Sequence, residues 1–180
     1  MIFDKASYIN IGQPLFYARD EVTVNLWVKA DSWATNPGTF FSSVQSGGYG
    51  WQKSSNNYKV YCGTGTSSNT YITVSLSTTS LDVSKWHMMT FTYNGMVLKT
   101  YIDAVLKTTT SKYSTKTPLF FNSSSTMFIG GEADSNKNTP ANTSSYPNFK
   151  GNISDVRIYC TALSAEDILS LYNNSAYIDN

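Results

Sequence analysis

Charge is what this chain has least of. Only 14% of its 180 residues are Asp, Glu, Lys or Arg, and they nearly cancel to a formal net charge of +1. So few charges cannot build the basic face that tracks a nucleic-acid backbone, and no nucleic-acid partner is expected. No apolar run approaches the ~18 residues of a membrane span, so no membrane insertion is expected either. Met1 leads into a strand-like segment instead of a basic and then apolar leader. Glutamate occurs three times, as Glu21, Glu132 and Glu166, and only Glu132-Ala133-Asp134 has the Glu-x-Asp spacing that puts two acids on one side of a strand. Retaining glycoside hydrolysis needs two carboxyls ~5 Å apart, so this scarcity argues against it. The single histidine, His87, has no Ser or Cys nucleophile motif beside it and is expected to pack at a strand end. The glycine pairs Gly47-Gly48 and Gly130-Gly131 bound strands and form no phosphate-cradling loop. No catalytic residue is assigned, and no enzyme activity is expected. Cys62 and Cys160 are too few for a disulfide framework or a zinc site; buried free thiols are expected, with a single bridge between them as the alternative.

What the chain has in abundance is Ser, Thr, Asn and tyrosine, arranged in short alternating runs. The length suits one domain, 1–180, either whole or as a piece of a longer polypeptide. Residues 7–11 and 21–30 alternate; in the second run Val22, Val24, Leu26, Val28 and Ala30 share a core face, with Thr23, Asn25, Trp27 and Lys29 opposite. Further short strands are expected at 39–44, 49–53, 58–62, 71–76, 105–109, 119–122, 126–131 and 152–160, the last with Val156, Ile158 and Cys160 inward. Residues 85–103 read as a β-hairpin. Asn94-Gly95 suits a two-residue type I′ turn, which would set Tyr93 opposite Met96, Phe91 opposite Leu98, Met89 opposite Thr100 and His87 opposite Ile102. The other face, with Trp86, Met88, Thr90, Lys99 and Tyr101, is mixed in polarity, as expected of a surface half covered by loops or used to hold a ligand.

One helix is expected near the C-terminus. Ser164 is placed to cap it, Asp167 stands at N3, Leu163 can staple against Ile168, and Ile168, Leu171 and Tyr172 form one docking face that ends near Asn173-Asn174. Such a helix is expected to seal one end of a sandwich. The alternation, the absence of a βαβ rhythm and the single helix together predict an all-β, antiparallel two-sheet jelly roll.

The runs KWHMMTFTYNGMVLKTYID, MFIGG and FKGNISDVRIYCTALSAEDILSLY, preceded by EVTVNLWVKAD, resemble the laminin-G-like, concanavalin A-like jelly rolls over essentially the whole chain. Asp103-Ala104 replaces the Asp-Gly usual at the second turn of that family, so a left-handed Ala there would cost ~1–2 kcal/mol unless the turn takes another form. The resemblance implies a module of the kind found in bacteriophage tail and other virion proteins and in secreted bacterial proteins. There it would serve as a non-catalytic adhesion module outside the cell or on a virion surface, binding a cell-surface glycan. A structural or oligomerisation domain, forming a homo-oligomer through flanking regions, is the alternative, and a glycoside hydrolase ranks below both.

Sugars present CH faces to aromatic rings and hydroxyls to amides and carboxylates. Trp33, Tyr49, Trp51 and Tyr146, each beside Gly, Pro or Asn, are therefore the candidate carbohydrate contacts, with Trp27 and Tyr101 as further aromatics of a sheet face. The long polar stretch 132–151 is expected to be a functional loop. At its mouth Glu132 and Asp134 are candidate calcium ligands; IGGEADS resembles a calcium-binding Glu-x-Asp of the pentraxin relatives, and Asn136, Asn138 and Asn142 could add oxygens. The sequons at Asn122, Asn142, Asn152 and Asn173 are chance products of composition.

Overall fold

Alternation of apolar and polar residues carries through into a sandwich of two six-stranded sheets. The computed structural model describes residues 1–13, 20–33, 38–54, 57–122, 126–134, 139–144 and 146–178. Among them the chain forms, in order, β1 (Ile2–Asp4), β2 (Ile9–Gly12), β3 (Val22–Ala30), β4 (Phe41–Ser42), β5 (Tyr49–Ser54) and β6 (Asn57–Gly63). Then come β7 (Tyr71–Ser77), β8 (His87–Tyr93), β9 (Val97–Ile102), β10 (Val105–Ser111), β11 (Met127–Ile129), β12 (Lys150–Tyr159) and α1 (Ala165–Asn173). The first sheet runs β1-β12-β3-β8-β9-β10 and the second β2-β11-β4-β5-β6-β7. The ladders are antiparallel, as the sequence predicts.

The inner faces meet in one core. Val22, Val24, Leu26 and Val28 of β3 and Met89, Phe91 and Tyr93 of β8 pack against Tyr49, Trp51, Tyr58, Val60 and Cys62 of the second sheet, all fully buried. Each such side chain stabilises the fold by roughly 1.5–3 kcal/mol relative to exposure. Aromatic edges fill the centre: Phe91 meets Trp51 at 5.8 Å and Tyr49 at 6.2 Å between ring centroids.

The first sheet's outer face is covered by α1, which corrects the expectation that the helix seals an end of the sandwich. Trp27, Met88 and Tyr101 form an apolar strip across β3, β8 and β9, and Ile168, Leu171 and Tyr172 bury it. The Trp27 ring stacks on Tyr172 at 5.6 Å. This strip explains the mixed polarity of the outer face: its apolar part belongs to a second, smaller core. The capping box forms as read, with the Ser164 side chain accepting from the Asp167 N–H and the Asp167 carboxylate accepting from the Ser164 N–H.

Several local expectations change. Tyr93 pairs with Leu98, Phe91 with Thr100 and Met89 with Ile102, a shift of two residues from the expected register. The cause is Asn94, whose carboxamide oxygen accepts the N–H groups of Met96 and Val97 and so builds a wider loop with only Gly95 at positive φ. A shift of two preserves parity, so each side chain keeps its expected face. The two-residue turn instead joins β9 to β10, where Asp103 (φ 51) and Ala104 (φ 61) both adopt the left-handed conformation. Residues 39–44 contribute only β4, and Leu119 makes an isolated bridge to Thr64 in place of a strand. Cys62 and Cys160 are both free, but only Cys62 is buried. Ile158 is 37% exposed although it pairs with the buried Val24. Among the described strands β1 covers β12 only at residues 150–152, so the second half of β12 is a sheet edge.

Candidate functional site

Among the described residues the second sheet's outer face carries no helix, and its pattern follows from the same alternation. In β6 the side chains of Tyr58, Val60 and Cys62 point into the core, so Lys59 and Tyr61 point out. In β7, Ile72, Val74 and Leu76 are buried, which leaves Tyr71, Thr73 and Ser75 outward. Gln52 of β5 lies opposite Lys59, and Ser42 of β4 opposite Gly50. The segment after β11 then folds across this face. Gly131 permits the close approach: a Cβ there would lie 2.7 Å from Pro140 and 3.1 Å from the Asn148 carboxamide oxygen. A bridge between Glu132 and Ala141 pins the crossing, the Ala141 N–H donating to the Glu132 carbonyl at 3.0 Å.

Sheet and crossing segment enclose a groove of about 520 Å³, lined by Gln45, Gln52, Tyr61, Tyr71, Glu132, Asp134, Thr143 and Tyr146 among others. Tyr61 and Tyr71 meet edge to face at 5.6 Å. Tyr146 is 44% exposed and is held by a small turn, its N–H donating to Thr143 Oγ1 at 3.1 Å. Asn142 anchors the same loop, donating to the Lys5 carbonyl and accepting the Asn148 N–H.

Glu132 is the electrostatic oddity of the groove. It is buried, 3% exposed. Its Oε1 accepts from Gln52 Nε2 and from Ser42 Oγ. Its Oε2 makes no hydrogen bond, and neither does the buried hydroxyl of Thr39, which lies close enough to weigh on the same carboxyl. Loss of solvent dominates: burial pushes the carboxyl up to about 8, against the hydrogen bonds of Gln52 and Ser42 and the nearby Thr39 hydroxyl, which favour its charged form. Asp134 is half-buried at the groove wall.

Of the four aromatics expected to meet a ligand, only Tyr146 lies in the groove. Trp33, Tyr49 and Trp51 are fully buried and pack the core, so none offers a ring to a ligand. Trp33 packs on Phe40, Tyr58 and His87; Tyr49 on Phe41, Phe91 and Phe121; Trp51 on Phe40 and Phe91. Neighbouring Gly, Pro or Asn mark where the strands end, not which way these rings face. Trp27 and Tyr101 are covered by α1 and the residues after it. Glu132 and Asp134 do come together in the groove. Asn136 and Asn138 lie outside the described residues, and Asn142 is engaged as above. Tyr61, Tyr71 and Gln52 are not among the sequence candidates, although the outward phase of YKVYC and YITVSL already marks the two tyrosines. His87 packs at its strand end as expected, with Nδ1 at 2.8 Å from Asp103 Oδ2 and Nε2 at 3.1 Å from the Asp82 carbonyl.

No described helix is long and apolar enough to cross a membrane. A family model described as the concanavalin A-like lectin/glucanases superfamily matches residues 3–169. No curated protein sequence matches the chain. Among solved structures, it is similar to domain 4 of AbnA, an extracellular arabinanase from Geobacillus stearothermophilus, in complex with arabinotriose. There the TM-score is 0.67 at 20% identity, covering 95% of this chain and 75% of that one. It is also similar to the receptor binding domain of botulinum neurotoxin D, with a TM-score of 0.68 at 19% identity and coverage of 96% and 42%. A third is a botulinum neurotoxin type C structure whose cell entry depends on two ganglioside molecules, at TM-score 0.56 and 21% identity, covering 86% and 35%. The chain thus spans well under half of those neurotoxin chains, and the shared feature is the fold.

Proposed function

The chain belongs to the concanavalin A-like lectin/glucanase superfamily, and from that premise we propose that it is a non-catalytic glycan-binding module whose site is the groove on the outer face of the second sheet. The observation that carries the reading is the composition of that groove. Three tyrosine rings, two side-chain amides and a hydroxyl line one open concavity, which is the mixture of stacking faces and hydrogen-bonding groups that a saccharide requires. Arabinotriose and ganglioside association in proteins of the same fold supports the reading by analogy. Display on a virion or a secreted bacterial protein, with a bacterial surface polysaccharide as target, belongs to the same proposal. Catalysis is left out of the proposal because the run Glu132-Ala133-Asp134 is not continued by a third carboxylate; burial that favours the protonated form of Glu132 would suit a general acid but not a nucleophile.

Calcium at Glu132 and Asp134 is part of the proposal too. The oxygens that suit a hard cation are Glu132 Oε2 and the Asp134 carboxylate. Among the described residues no third His, Cys, Asp or Glu joins them, so carbonyls, amides and ligand hydroxyls would complete the shell. The ion would supply the positive charge that this buried carboxyl lacks. If it binds, melting temperature rises with calcium and falls with chelator, by about 2.7 kcal/mol of stability at a hundredfold excess over Kd. The pair Glu132→Ala and Asp134→Ala should remove that response, and a wild-type melt indifferent to both additions would refute the site.

The function itself is tested by a glycan array and affinity electrophoresis against a polysaccharide panel, with reducing ends assayed in parallel. Retention on at least one glycan without release of reducing ends is expected. Release of reducing ends, or a stable oligomer with no glycan affinity, would contradict the proposal.

A further inference from the structure

We infer that the groove receives a single glycan chain that turns at each linkage, and refuses flat ribbons and the crystalline surfaces they build; the inference rests on the glycan-binding reading above. The rings that line the groove set this geometry. Tyr61 and Tyr71 stand next to each other, their centroids 5.6 Å apart and their planes crossed at 89°. Alternation along β6 and β7 turns both away from the core, so both belong to the sheet side of the groove. The Lys59 ammonium lies over the Tyr61 ring, 5.1 Å from its centroid, and takes one face of that ring out of any flat platform. Tyr146 is carried on the crossing segment instead of the sheet, and the bridge between Glu132 and Ala141 holds that segment over the outer face as a raised wall.

A sugar stacks by laying its CH face flat on an aromatic ring. In a β-1,4-linked ribbon successive sugar rings lie nearly parallel, and a crystalline face repeats that plane from chain to chain. Such ligands need aromatic rings that share one plane and an approach without a wall. Here a ribbon laid on one tyrosine meets the other edge-on, so one of two stacking contacts is lost. The crossing segment also keeps an extended flat surface away from both rings. A chain whose linkage rotates each sugar against the last can offer its CH faces to the two rings in turn. The Gln52 amide and the Thr143 hydroxyl, which share the lining, then meet hydroxyls of a chain enclosed from two sides. Crossed rings act in this way on neutral sugars, so the selection needs neither charge nor metal.

Isothermal titration with matched sets of soluble, neutral oligosaccharides of equal length, calcium present throughout, tests this. The sets are β-1,4-glucose against α-1,4- and β-1,3-glucose, and β-1,4-mannose against α-1,6-mannose; insoluble cellulose and chitin serve as pull-down surfaces. In each set that binds, a turning isomer should be tighter than the ribbon by about tenfold, the worth of one stacked ring. Neither insoluble polymer should retain the protein. Tyr71→Ala should narrow the margin between isomers, because with one ring of the crossed pair gone both isomers stack once. Equal affinity within the sets, tighter binding of a ribbon, retention on cellulose or chitin, or a margin unchanged in Tyr71→Ala would overturn the inference. If the binding seen in those cases is still lost in Tyr146→Ala, the glycan-binding reading stands without it. Binding of no oligosaccharide and no polymer would defeat both.

Discussion

Replacing Glu132 by Gln should make the protein more stable, and by an amount that depends on pH in a prescribed way. A carboxyl that ordinarily titrates near 4.5 titrates here near 8 because burial disfavours its charge. Between those values the folded state keeps a proton that the unfolded state releases. Stability contributed at this position is therefore greatest below about 4.5 and falls as pH rises to about 8, beyond which it is level. At ~1.4 kcal/mol per unit the whole fall amounts to about 4–5 kcal/mol at most. A glutamine side chain at this position keeps the shape of the protonated acid: its amide oxygen can accept from Gln52 and Ser42, and its NH2 group faces the position of Oε2. The variant should thus match the wild type near pH 4 and exceed it near pH 8, by several degrees in melting temperature at ~2–4 °C per kcal/mol for a chain of this size. Paired thermal melts of the two proteins at both pH values, in chelator, supply the comparison. A difference that does not change with pH would show that Glu132 is already ionised in the folded state, and the electrostatic account of the groove would fail.

Ala104→Gly should stabilise the β9–β10 turn by about 1 kcal/mol, since Ala104 sits at φ 61 where glycine carries no penalty; an unchanged melt would reject the strain. Ile168→Ala should destabilise by about 2–5 kcal/mol, because Ile168 is fully buried against Trp27, Met88 and Tyr101; a cost near zero in urea unfolding would mean that α1 does not dock there. For His87, burial opposes the charge, but the Asp103 carboxylate and the Asp82 carbonyl raise its pKa above 6.5 on balance. Its share of stability is present below about 6.5 and lost as pH rises through the higher folded value, so His87→Gln should flatten stability against pH in that window and a persistent slope would implicate another group.

The fold is legible where a single residue pattern fixes it. Val22, Val24, Leu26 and Val28 alternate strictly and are all buried, and Ser164 with Asp167 announces a capped helix that forms where expected. Pattern cannot say what the outer face of the first sheet meets. Trp27, Met88 and Tyr101 are equally compatible with a ligand and with a helix, and only the return of the chain after β12 decides for the helix. Hairpin register depends on the Asn94 carboxamide, a side-chain hydrogen bond that competes with the two-residue turn the Asn-Gly pair suggests.

The candidate site is half legible. Composition and loop position lead to Glu132, Asp134 and Tyr146, and they do share a groove. Trp33, Tyr49 and Trp51 mislead because large aromatics in or near turns rich in Gly, Pro and Asn look exposed in sequence. In a sandwich this rich in rings they are what fills the space between the sheets. Tyr61 and Tyr71 lie in view, on the polar phase of their strands, but only the fold sets them side by side with a loop from far along the chain.

The measurement that bears most directly on the account is binding of an array-selected glycan to the wild type and to Tyr61→Ala, Tyr71→Ala and Tyr146→Ala, with melting temperature recorded for each. The groove reading predicts that affinity falls by about tenfold or more for at least two of the three, at ~1–2 kcal/mol per stacked ring, while Tyr146→Ala melts as the wild type does. Undiminished binding in all three variants would place the ligand elsewhere on the molecule and contradict the account.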